Sequence, residues 1–190
     1  MSDVITANGR HSVSSSVPPA SASYATVTWA ITATIALTLV AMIIGAPLFQ
    51  ATGHASFAST IYRAFSFVCH QIPERSFHLA GHQFAVCSRC TGLYVGFAVA
   101  AVVYPLAYSL KRIDTPRRRW LILAAVPLLI DFSLTYFGLW SNTHLTRFLT
   151  GALLGAVAVF YVMPGLVELS SAFARRFRRK KSLHSRGQSG

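Results

Sequence analysis

Acidic side chains are scarce in this chain: five Asp and Glu stand against 17 Lys and Arg in 190 residues. Charged residues of both signs reach only 12%, about half of the roughly 25% that solvates an ordinary soluble domain. That shortage excludes a typical water-soluble surface, and the 53% hydrophobic share points to lipid as the solvent. Three cysteines are too few for a disulfide scaffold, and an odd number leaves at least one thiol unpaired within the chain. Between Arg10 and Arg63 there is no charged side chain at all.

The charge-free runs define the architecture. They predict four membrane-spanning helices at about 27–49, 90–110, 120–140 and 148–167, each near the roughly 20 residues that cross a bilayer. The fold class is therefore an all-α integral membrane protein, a bundle of four transmembrane helices with a short interfacial helix before the second. The third span carries Asp131. Its 11 Leu, Ile, Val and Phe residues between Leu121 and Leu139 contribute roughly −3 to −7 kcal/mol to insertion, against about +2.5 to +3.5 for a central Asp. Insertion wins, and Pro127 is expected to kink or strain the helix. Residues 1–26, rich in Ser, Ala and Thr with Pro18 and Pro19, read as a disordered tail. A cleaved signal peptide fits less well, because the apolar run exceeds a normal signal core.

A net charge of +12 would suggest nucleic acid in a soluble protein. Sorted by side of the membrane, it becomes a topology signal. The N-tail holds Arg10; the second connection holds Lys111, Arg112, Arg117, Arg118 and Arg119; the C-tail, 169–190, holds the run Arg175–Lys181 and Arg186. Only Arg63, Arg75, Arg89 and Arg147 fall on the other side. The positive-inside rule places both termini in the cytoplasm of a plasma-membrane protein, with no nucleic-acid partner. The run Arg175–Lys181 could touch anionic lipid, although a solvated stop signal explains it as well.

Segment 52–89 then faces outward, and it is the specific part of the sequence. It contains four of the seven His residues, His54, His70, His78 and His82, and all three cysteines fall at 69–90. Residues 57–69 predict a short amphipathic helix, followed by a compact turn region between Pro73 and Gly81. Cys69, Cys87 and Cys90 make a C-x17-C-x2-C arrangement. A CxxC pair opening a helix brings two thiols to one face, and the helix N-terminus together with Arg89 favours the thiolate. Three Cys and one His, from His70, His78 or His82, would complete a tetrahedral site for zinc or another soft transition metal. A loop-stapling disulfide and a redox-active disulfide are the alternatives. Asp131, past the midplane of its span, has Arg89 and Arg147 as candidate partners, and the pair could be structural or part of a substrate site. The inner half has no comparable polar group, which argues against a continuous ion path. Hydrolytic chemistry finds no nucleophile–base motif. Gly92-x3-Gly96 and Gly151-x3-Gly155 are helix-packing stripes.

The segments CHQIPERSF and VCSRCTGLYVG, followed by a span with an Asp and then GLWSNTHLTRFLTGALLG, resemble the predicted membrane proteins catalogued as domain of unknown function 2085. The resemblance covers roughly residues 60–165. Cys69, His70, Gln71, Pro73, Arg75, Ser76, Cys87, Arg89, Cys90 and Gly92 fit its pattern position by position. One departure is Phe132, where the family commonly has Gly after the aspartate. The resemblance implies that these residues act together and brings no activity with it. The layout is also similar to the disulfide-forming quinone reductases, which relay electrons through two cysteine pairs; three cysteines fall short of that.

Overall fold

The computed structural model describes residues 22–110 and 114–187, with side chains at 23–110 and 114–176. The segments 1–21, 111–113 and 188–190 lie outside the described residues, and with them most of the expected N-tail. Five helices follow in order: α1 (Ala22–Ala51), α2 (Ala55–Ser66), α3 (Ser88–Ala107), α4 (Arg119–Tyr136) and α5 (His144–Gly187). Four of them, all except α2, are long and apolar enough to cross a membrane. The fold is nearly all-α, as expected.

The boundaries differ instructively from those expected. Helix α1 starts at Ala22, so residues 22–26 are helical rather than part of a tail. Helix α5 does not stop at Glu168 but runs on through the basic run to Gly187, because Lys and Arg are good helix formers and nothing caps it earlier. Arg175 and Arg176 are exposed. The rest of the expected lipid-contacting run has side chains outside the described residues. Pro127 lies inside α4, which continues through it.

The centre of the bundle is the pair α3–α5, which run parallel because the intervening α4 returns the chain. Glycine makes their contact possible. A Cβ on Gly92 would sit 2.0 Å from the carbonyl oxygen of Phe148, and one on Gly155 would sit 2.1 Å from that of Leu93. Backbone therefore touches backbone, which only small residues at i and i+4 permit. Helix α1 packs against this pair, tied by Trp29 Nε1–H donating to the Ala101 carbonyl (2.7 Å) and Thr28 Oγ1 bonded to Ser170 Oγ (2.9 Å). Helix α4 leans on α5 and stays largely uncovered, with Ile122, Leu123 and Ile130 exposed in a position suited to lipid.

At one end of the bundle, α2 folds back on α1. Its buried residues Ala58, Ile61 and Phe65 share one face, and Ile61 and Phe65 pack with Ile43 and Ala46 of α1 and with Ala85 and Val86. Helix α2 ends at Ser66, earlier than expected, as the N–H groups of Val68 and Cys69 both turn to the Phe65 carbonyl. A single 3₁₀ turn follows at Pro73–Arg75. Then comes an unexpected hairpin, β1 (His78–Leu79) paired antiparallel with β2 (His82–Gln83). Its two-residue loop has Ala80 at φ 51° and Gly81 at φ 81°. That is the twist a tight hairpin requires, and Gly81 supplies it without steric cost.

Candidate functional site

The three cysteines converge where the α2 loop meets the start of α3. Cys87 is the N-cap of α3 in extended conformation, and Cys90 stands one turn on, so their sulfurs lie 3.5 Å apart. Cys69 reaches the same point from the other side: the Cys87 N–H donates to Cys69 Sγ at 3.2 Å. All three sulfurs lie within 4.8 Å of one another, and all three cysteines are free. Cys69 is buried; Cys87 and Cys90 are half-buried. Hydrogen bonds from the Cys87 and Cys90 thiols, in that order of weight, hold the Cys69 thiol well below its ordinary value. The N-terminus of α3 acts in the same direction.

Gln71 holds this junction closed. Its backbone is left-handed, φ 50°, which places the side-chain amide inside the loop. Nε2–H donates to the carbonyls of Tyr62 (2.7 Å) and Ala85 (2.8 Å), joining α2 to the segment that leads into Cys87. Gln83 returns a weaker bond to the Gln71 carbonyl at 3.3 Å. Ser76, fully buried, bonds the Ile72 carbonyl and closes the 3₁₀ turn. Both residues of the motif are positioning residues.

A cavity of about 500 Å³ opens beside the sulfurs. Cys69, Cys87 and Cys90 line it together with His70 and Gln71. Arg75, Arg89 and Arg147 line the same cavity, with Phe132 and Asn142. Asp131 is behind the arginines, where Arg89 Nη2 pairs with its Oδ2 at 2.5 Å. Of the two partners expected for Asp131, Arg89 is the one in contact. Phe132, the departure from the family pattern, lies under the Arg89 guanidinium at 5.8 Å from its ring centre. Asn142 Nδ2–H caps the Asp131 carbonyl at 2.9 Å. His70 lines the cavity but does not belong to the sulfur cluster, and His78 and His82 sit in the hairpin.

Two features escaped the sequence reading. Fully buried Ser88 bonds His144 Nδ1 at 2.9 Å, locking the starts of α3 and α5 together. Its signal was available: Gly92 meets Phe148, and one turn back along both parallel helices are Ser88 and His144. The other is Asn142, whose Oδ1 is buried without a partner, as is Arg89 Nε. A lone loop Asn carries no pattern that would reveal this.

The family model described as predicted membrane protein, DUF2085, matches residues 69–161, from the first cysteine into α5. The chain belongs to this family. An uncharacterized protein of Methanocaldococcus jannaschii is 36% identical over 129 residues, covering 65% of this chain and 83% of the relative. Another, from Methanothermobacter thermautotrophicus, is 34% identical over 90 residues, 46% of this chain and 77% of its own length. No solved structure matches. The family thus confirms a membrane protein and leaves its chemistry to the residues.

Proposed function

We propose that Cys69, Cys87 and Cys90 bind a soft metal cation, zinc or a similar transition metal, at the extracytoplasmic face of the plasma membrane. The observation that carries the reading is the convergence of all three sulfurs, from two separate segments, within 4.8 Å. Zinc–sulfur bonds of about 2.3 Å at tetrahedral angles need sulfurs about 3.8 Å apart, close to this spacing. Thiolate, the form a metal requires, is favoured by the start of α3 and by the neighbouring arginines. Of the expected histidines, His70 lines the cavity beside the sulfurs and is the candidate for a fourth ligand. Three thiolates around a dication leave one net negative charge, which Arg89, Arg75 and Arg147 offset. The distribution of Lys and Arg supports cytoplasmic termini and an outward sulfur cluster.

Metal analysis of protein purified without added metal tests this, beside a Cys87→Ser/Cys90→Ser variant. We expect about one equivalent in the wild type and none in the variant; equal metal in both would sink the reading. The 3.5 Å separation of Cys87 and Cys90 favours one second reading, a thiol–disulfide exchange at that pair. It ranks below the first because Cys69 is the only remaining thiol for an electron relay. A mixed disulfide trapped through Cys90 would establish it.

A further inference from the structure

The charge around the cavity exceeds what the sulfur site needs. Arg75, Arg89 and Arg147 come from three different elements, the 3₁₀ turn, α3 and α5, and line one cavity. Arg89 has Asp131. Neither Arg75 nor Arg147 is within salt-bridge distance of a carboxylate among the described residues. Arg147 also stands in the first turn of α5, where the helix dipole disfavours a cation. Helices α3 and α5 run parallel and both begin at this cavity, so two sets of helix-terminal N–H groups add to the same positive field. Three guanidiniums and two helix starts against one carboxylate and one net negative charge on the sulfur site leave positive charge in excess, in about 500 Å³, a setting suited to an anion.

Guanidinium forks match tetrahedral oxyanions, and Arg is the residue that recognises phosphate with two parallel bonds. The rim is apolar, with Val68, Phe132 and Tyr136 exposed beside the arginines. We infer that this cavity binds a phosphate group through Arg75, Arg147 and the free edge of Arg89, next to the sulfur cluster. The phosphate can come from solution or from a lipid headgroup whose chains lie on the Phe132–Tyr136 rim. The site stands on the arginines and does not depend on a bound metal.

The test uses the full chain in a maltoside detergent, which carries no phosphate, with calorimetric titration of three probes: inorganic phosphate, dihexanoyl phosphatidic acid and uncharged dihexanoyl glycerol. Saturable binding of a phosphate-bearing probe is expected, weakening as salt is raised. Arg75→Gln and Arg147→Gln should each weaken it about tenfold or more, with Arg147→Lys recovering part of the loss. Equal affinity for the two phosphate probes assigns a free anion, and tighter phosphatidic acid binding assigns a lipid; both support the site. Unfolding midpoints unchanged from wild type show that the variants fold. Phosphate binding that persists in Cys87→Ser/Cys90→Ser separates this inference from the metal reading. Wild-type affinity in both glutamine variants, dihexanoyl glycerol binding as tight as phosphatidic acid, or no binding of either phosphate probe overturns it.

Discussion

Replacing Gly92 by Ala adds one methyl group to the tightest contact in the bundle. The new Cβ would be 2.0 Å from the Phe148 carbonyl oxygen, 2.8 Å from its carbon and 3.0 Å from the Ala152 nitrogen. Favourable carbon–oxygen contacts between helices lie near 3.3 Å, so α3 and α5 must separate by more than about 1 Å. No rotamer can relieve this, because every atom struck is backbone. Overpacking of this kind costs about 1–3 kcal/mol, and Ala returns up to about 1 kcal/mol through its better helix propensity. The net expectation is a loss of about 1–2 kcal/mol, read by denaturant unfolding in detergent micelles. Gly165→Ala is the internal control: it lies in α5, the helix that Gly92 of α3 touches, yet its Cβ meets nothing within 4 Å. That variant should be neutral or slightly stabilised. The sulfurs belong to α3 and the loop before it, not to α5, so Gly92→Ala should leave the proposed metal binding intact while Arg147 shifts away from Arg89. If Gly92→Ala unfolds no more easily than Gly165→Ala, the close-packed α3–α5 interface is wrong.

Gln71→Ala strips the donor from two carbonyls, Tyr62 and Ala85, and should cost about 2–4 kcal/mol while lowering metal affinity in a chelator competition, although no ligand is lost. Asp131→Asn weakens the partner of a half-buried guanidinium and should destabilise by about 1–3 kcal/mol; Phe132→Ala, which removes only the ring under Arg89, should cost about 0.5–1 kcal/mol. A larger loss in Phe132→Ala than in Asp131→Asn would reverse the ranking of these contacts. In metal-free, reduced protein the thiolate absorbance of Cys69 should persist as pH falls below 7, whereas an unperturbed thiol near 8.5 is already protonated there. The sign follows from a folded pKa below the unfolded one: its stabilisation is complete above the unfolded value and disappears as pH falls toward the folded one. Cys69→Ser should remove both effects.

What the sequence made legible depends on how local the physics was. The four long apolar helices were readable because a charge-free run of about 20 residues is specified residue by residue, without reference to any neighbour. Asp131 did not obscure the third, since the apolar residues around it outweigh one carboxylate. The sulfur cluster was half readable. Cys87 and Cys90 meet through helix geometry alone, but Cys69 meets them only because Gln71, in a left-handed backbone, ties α2 to Ala85 across the loop. No period in the sequence encodes that. The hairpin was missed for a related reason, because strands of two residues cannot show alternation, and Ala80 is an unusual choice for a left-handed position. The Ser88–His144 bond shows where a further step was possible. Once α3 and α5 are read as parallel and both as small-residue stripes, their glycines fix a register, and that register sets every other polar contact at the same end. The arginine grouping follows from it: Arg89 and Arg147 line one cavity because Gly92 and Gly151 let their helices touch. A residue that carries no chemistry therefore decides how far apart the chemical groups stand.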